Sequence, residues 1–381
     1  MTRKLLIAGA ALALISSCNN MENPFLTESK APFGAPEFDK IKNEHYLPAF
    51  EAGIAEAKAE IDAIVANQEE PTFENTIEAM EYAGETLNRV ANVFYNLMEA
   101  NTNDEMQQIA EQISPMLNEY SMYVSLNADL FAKVKSVYEK KDELGLEKDQ
   151  LKLLEDNYKS FVRGGANLSD EDKELYSKWS EELSLASLQF SKNVLAATNA
   201  YTLHITDSAD LAGLPEFVKT MAAETASEKG LEGWAFTLDA PSYSPFLKYS
   251  EVRNLRKDMW TAFNTRAIGG EFDNTDVVKK IVDLRIRIAN ILGYETYADY
   301  ALEERMAKDK ATVNGFIKEL LEPSMEFAKK DVADVYAFAK KNGFEDSQLM
   351  PWDFSYWSEK YQQAEYSLSA EELKPYFQLE S

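Results

Sequence analysis

Apolar residues recur at helical spacing along most of this chain, and that periodicity confines it to a mainly α-helical fold. In TFENTIEAMEYAGETLNRVANVFYNLMEA (72–100), Ile77, Met80, Leu87, Val90, Phe94 and Leu97 step by three, four and seven. Those are the spacings at which helix side chains share one face. Asn75 is the expected N-cap, with Pro71 ahead of it. In NTDVVKKIVDLRIRIANILGY (274–294), Val277, Ile281, Leu284, Ile288 and Ile291 form a narrow seam that needs a partner helix, and Gly293 is its expected C-cap. Further helices are expected over about 104–138, 148–163, 169–200, 210–229, 249–268, 296–305, 309–342 and 369–375. Ser169 and Asp172 make a capping box after the Gly164–Gly165 break.

Two segments break the helical period. YTLHIT (201–206) and WAFTLD (234–239) are rich in β-formers and are expected to pair as a small sheet. APSYSPF (240–246), with Pro241 and Pro245, reads as a turn-rich boundary between an N-terminal helical domain, 31–240, and a second region, 241–381.

Composition narrows the partners. Lys and Arg number 39 against 65 Asp and Glu, a formal charge of −26. That balance argues against a basic face for nucleic acid or anionic lipid. The chain is 45% hydrophobic and 381 residues long, enough for a substantial core and one large or two smaller domains. A monomer is the default expectation.

The first residues, MTRKLLIAGAALALISSC, carry Arg3 and Lys4, an apolar run too short to span a bilayer, then small residues and Cys18. Ile15-Ser16-Ser17-Cys18 resembles the lipobox of bacterial lipoproteins. The expectation is a signal peptide over 1–17, lipid on Cys18, and a tether over 18–30. This would anchor a periplasm-facing protein to the outer membrane of a Gram-negative, Bacteroidetes-type bacterium. Cys18 is the only cysteine, so no disulfide can form within the chain.

Catalytic signatures are sparse. The sequence has no G-x-G-x-x-G, P-loop, C-x-x-C or EF-hand loop. Its two histidines, His45 and His204, lie far apart, whereas a zinc site needs several convergent neutral ligands. Both are expected in structural roles. Ser-His-Asp catalysis meets the same shortage. Arg253, Arg256 and Arg266 are candidates to reach a peptide carboxylate, or else form ion pairs. Glu181-Glu182, Glu303-Glu304 and Glu371-Glu372 read as solvated helix faces.

A series of segments, in order, resembles the thimet oligopeptidase family of zinc peptidases, which includes oligopeptidase A and the bacterial peptidyl-dipeptidases. The series opens with NPFL (23–26), FDKIKNEHYLPAF (38–50) and PTFENTIEAMEYAGETLNRV (71–90). FVRGGANLSDEDKELYSKWSEELSLASLQFSKNVLAAT (161–198), LAGLPE (211–216) and TLDAPSYSPFLKYSEVRNLRKDMWTAFNTRA (237–267) follow. NILGYETYADYALEERMA (290–307), WDFSYWSEKYQ (352–362) and ELKPYFQLE (372–380) complete it. Trp357 stands where the family more often has tyrosine. The likeness covers about 23–381 and, with the lipobox, looks most like a lipoprotein peptidyl-dipeptidase.

The resemblance implies a helical fold split by a deep channel that admits short unstructured peptides. It implies zinc that polarises the scissile carbonyl and activates water, with release of C-terminal dipeptides. In the family, H-E-x-x-H and the other catalytic groups follow the segment similar to LKPYFQLES. No catalytic or metal-binding residue is therefore carried over to this chain, and 241–381 corresponds to the front of the catalytic domain. The aromatic run from Trp352 to Phe377 is expected to pack against residues beyond Ser381. The chain alone is expected to be inactive. A non-catalytic peptide-binding lipoprotein built from the same fold is the alternative.

Overall fold

The computed structural model describes residues 23–367 and 373–377. The chain divides into two compact units, the first ending at Ala166 and the second beginning at Asn167. The 240/241 boundary expected from the sequence falls inside the second unit.

In the first unit, α1 (Tyr46–Ala66) lies along α3 (Glu85–Ala100), with α4 (Asp104–Ser125) and α5 (Ala128–Glu139) against α1. Gly53 permits the tight α1–α3 approach: a Cβ there would lie 2.9 Å from the Leu87 Cα. Tyr46, Phe50 and Phe94 form an edge-to-face aromatic cluster, with centroids 4.9 and 5.5 Å apart. A second core joins Phe73, Ile77, Leu130, Val134, Leu154 and Phe161, bringing in α6 (Lys148–Arg163).

The stripe read from 72–100 is real but interrupted. Ile77, Leu87, Val90 and Phe94 are buried, yet the segment begins as a π-turn at Phe73–Glu78, continues as α2 (Ala79–Tyr82), and restarts after Gly84 at φ 78°. The N-cap is Thr72 rather than Asn75. The Thr72 hydroxyl accepts from the Asn75 amide, and the Asn75 side chain accepts from the Thr72 amide. The single helix expected over 104–138 is two, because the Asn127 side chain accepts from the Leu130 amide and starts a new helix.

In the second unit the long α7 (Asp170–Ala200) packs along α11 (Thr275–Ile291), the partner helix that the seam required. Leu284 and Ile288 are buried there. β1 (Leu203–Ile205) pairs antiparallel with β2 (Trp234–Phe236), in register Leu203↔Phe236 and Ile205↔Trp234. This sheet, α8 (Glu216–Glu228), α9 (Ala240–Tyr249) and α10 (Arg253–Asn264) enclose a core containing Val218, Phe236, Phe246 and Met259.

APSYSPF is helix rather than turn, forming most of α9. Pro241 sits in the first turn, where a missing N–H costs nothing, and Pro245, inside the helix, forfeits one backbone bond. The burial of Phe246 and Leu247 outweighs that loss. The short α12 (Tyr297–Leu302) leads to α13 (Lys310–Lys341), which folds back on α14 (Pro351–Tyr366) through its C-terminal third. Residues 314–333 of α13 are exposed throughout, including Phe316, Ile317, Leu320, Leu321, Met325 and Phe327. The expected 369–375 helix lies largely outside the described residues, although Tyr376 and Phe377 are both 81% exposed. No described helix is long and apolar enough to cross a membrane.

Candidate functional site

A dense polar cluster joins α10 to α14. Arg253 and Arg256 begin α10, and Asp353 lies in the first turn of α14, with its side chain fully buried. Arg253 donates from Nε and Nη2 to the two Asp353 oxygens at 2.9 and 2.7 Å, and its Nη1 lies 2.5 Å from Asp346. Arg256, 2% exposed, donates to Asp353, to the Trp352 carbonyl and to the Ser250 carbonyl at 3.1, 3.0 and 2.8 Å. Its guanidinium stacks 4.2 Å from the Tyr356 ring centroid. The Met350 amide also donates to Asp353.

Burial works against the Asp353 charge, but hydrogen bonds from Arg253, the Met350 amide and Arg256 outweigh it and hold the carboxyl below its ordinary range. Burial draws the Arg256 guanidinium down despite Asp353. The more exposed Arg253 moves up under Asp353 and Asp346. The cluster is a saturated clamp. Arg253 and Arg256, candidates for gripping a peptide carboxylate, are committed to Asp353. Arg266 is held by the Phe263 carbonyl at 2.8 Å and the Thr198 hydroxyl at 3.2 Å.

Among the described residues, concave sites of small-ligand size include three grooves. In the first unit, a groove of about 320 Å³ is lined by Met80, Tyr120, Val124, Asn157 and Phe161. In the second, a polar groove of about 370 Å³ lies between α9 and α14. There the Lys248 ammonium sits 2.9 Å from the buried Glu359 carboxylate, which also accepts from Gln363. The third, about 380 Å³, lies between α7 and α11 and is mostly apolar, with Arg285 on its lining. The sequence reading missed all three, because each is assembled from helices distant in the chain.

The histidines hold local structure. His45 is buried and accepts through Nδ1 from the Lys42 amide at 3.1 Å. His204 Nε2 lies 2.6 Å from the Glu232 carbonyl. Among the described residues, no group of three or more His, Cys, Asp or Glu side chains is placed to hold a metal ion. These side chains do not fit a zinc centre. Of the paired glutamates, Glu182 bonds Lys280 at 3.1 Å, and Tyr294 donates to Glu303. Cys18 and Glu371-Glu372 lie outside the described residues.

Comparison with known proteins bears on most of the chain. Residues 246–381 match the model of peptidase family M3. Dipeptidyl carboxypeptidase of Escherichia coli K12 is 36% identical over 361 residues, which is 94% of this chain and 53% of the relative. Oligopeptidase A of Salmonella typhimurium is 34% identical over 362 residues, 94% of this chain and 52% of the relative. Saccharolysin of Saccharomyces cerevisiae is 26% identical over 324 residues, 82% and 44% respectively. The chain thus spans about half the length of the curated relatives it matches.

Proposed function

Since this chain belongs to peptidase family M3, we propose that it supplies the helical walls of a zinc metallopeptidase that cleaves short peptides and releases C-terminal dipeptides. The zinc ligands and general base are assigned to the part of the fold that these residues do not cover, and the chain by itself is inactive. One observation carries this reading: residues 314–333 of α13 expose a broad apolar half-face. Phe316, Leu320 and Phe327 flank one side of it, and Leu321 and Met325 the other. A helix patterned for burial and left bare needs a partner surface. Relatives about twice as long have the residues to provide one.

Zinc would contribute water activation and carbonyl polarisation. The contribution of this chain is the scaffold. The Asp353 clamp fixes α10 to α14, and the α7–α11 pair sets a second wall within the same unit.

The same reading assigns residues 1–17 to a signal peptide and Cys18 to lipid attachment, in the periplasm of a Gram-negative cell. The charge pattern and small residues before Cys18 support it. Labelling with a palmitate analogue tests the anchor: Cys18→Ala should abolish incorporation, and undiminished labelling would refute lipidation there.

The decisive assay compares this chain with the longest product of its source reading frame, on peptides whose dipeptide release is followed by mass spectrometry. The longer product should release dipeptides and lose activity to a chelator, and this chain should do neither. Chelator-sensitive dipeptide release by the 381-residue chain would overturn the assignment.

A further inference from the structure

The α7–α11 groove has a feature that the scaffold role does not use. It is lined by Phe190 and Ser191 on α7 and by Val278, Ile281 and Val282 on α11. Phe190, Val278 and Val282 keep substantial exposure at 36%, 43% and 51%, so the apolar walls are accessible. A volume of about 380 Å³ suits one or two apolar side chains.

Arg285 closes the lining. In a chain with 65 acidic and 39 basic residues, surface cations usually find carboxylates. The other cations of α11 do: Lys279 with Asp276 at 2.9 Å, Lys280 with Glu182 at 3.1 Å, and Arg287 with Asp283 at 2.8 Å. Arg285 has no such partner among the described residues. Its helix neighbours at three and four positions are Val282, Ile288, Ile281 and Ala289, none of them acidic. Its guanidinium lies 5.1 Å from the Tyr297 ring centroid. An aromatic contact orients the cation while leaving its N–H edge available to a carboxylate.

We propose that this groove docks the C-terminal residue of an apolar peptide, its side chain among Phe190, Val278 and Val282 and its free carboxylate on Arg285. The peptide nature of the ligand rests on the peptidase reading above, and the location rests on the groove and its unpaired cation. Charge complementarity selects the terminus. An internal segment brings no carboxylate to an apolar groove, and an acidic peptide meets the repulsion of a surface at −26.

The test is photo-crosslinking of the full chain with the peptide Gly-Ser-Gly-Ala-(p-benzoylphenylalanine), as free acid and as C-terminal amide, with adducts mapped by mass spectrometry. The acid should label 187–191 or 278–286, in competition with Gly-Ser-Gly-Ala-Phe, and the amide should label at least tenfold less. Arg285→Gln should bring acid labelling down to the amide level with an unchanged helical circular dichroism spectrum, and Arg285→Lys should restore part of it. Equal labelling by acid and amide, adducts confined to other segments, or crosslinks from the groove to a second copy of the chain would overturn the proposal. Dipeptide release by the longer product without groove labelling removes this inference alone. Absence of both removes it together with the peptidase reading.

Discussion

Arg253 and Asp353 stand 100 residues apart and meet as a two-pronged pair, Nε to Oδ1 at 2.9 Å and Nη2 to Oδ2 at 2.7 Å. The Asp353 carboxylate is sealed from solvent and shared with Arg256. Two guanidiniums around one buried carboxylate compensate its desolvation, and neither arginine remains available to a ligand. Asp353→Asn leaves both arginines short of a charge partner. The expected cost is about 3–5 kcal/mol, the range for breaking a buried pair from one side, measured by urea unfolding at pH 7. A loss under about 1 kcal/mol would show that the clamp is ornamental.

The same carboxylate sets an acid limb. Its folded pKa lies below the ordinary 3.8. A depressed acid adds stability that is fully present above the unfolded pKa and is lost as pH falls through the folded one. The stability gap between the wild-type chain and Asp353→Asn should therefore be constant from pH 7 to about 5 and narrow below the unfolded value near 3.9. Urea midpoints at successive pH values read this directly. A gap that widened on acidification would contradict the sign.

Two glycines should respond oppositely to alanine. A Cβ on Gly53 would lie 2.9 Å from both the Leu87 Cα and its amide nitrogen, forcing α1 from α3. Gly53→Ala should cost about 1–3 kcal/mol, as overpacked cores do. Gly315 lies inside α13, and no neighbouring atom comes within 4 Å of the position a Cβ would take there. At that site alanine should stabilise the helix by roughly 0.5–1 kcal/mol through lower backbone entropy. Thermal melts of the two variants in parallel make the comparison, and equal signs would refute it.

The break between α4 and α5 depends on one side chain. Asn127 accepts from the Leu130 amide at 2.9 Å. Asn127→Ala should destabilise by about 1 kcal/mol, while Asn127→Asp should remain close to wild type. Chemical denaturation of both separates a capping loss from a general effect of substitution.

The bare half-face of α13 should make the chain self-associate. Phe316, Leu320 and Phe327 are 61%, 53% and 71% exposed. Replacing all three with lysine should shift sedimentation from associated species toward monomer, with helical content retained. A wild-type chain that sediments as a single monomer at high concentration would show that this face tolerates water.

Local physics made much of the fold legible. The helices at 148–163, 170–200, 275–291 and 310–341 follow from apolar spacing and nearby caps such as Ser169 and Asp309, whose partners lie three residues away. The two-stranded sheet was legible for the same reason, from short runs of β-formers. Breaks were harder to read. The stripe through 72–100 keeps its period across Gly84, so the interruption shows in backbone conformation rather than in hydrophobic spacing. The prolines of 240–246 read as a turn until Phe246 and Leu247 are seen in a core that pulls them into a helix.

The polar sites divide the same way. Arg253, Arg256 and Arg266 stood out in the sequence as candidate carboxylate-binding cations, and Arg285 did not. Whether each has a carboxylate depends on contacts between segments up to 100 residues apart, which no local pattern encodes. The sequence by itself determined the helices, the small sheet and the family of this chain, because these rest on local spacing and ordered motifs. Only the tertiary structure decided that Asp353 occupies two arginines while Arg285 has no carboxylate partner among the described residues, and that α11 is partnered while residues 314–333 of α13 are exposed. Amphipathic periodicity specifies that a face seeks burial, and the packing of distant helices determines whether it is met.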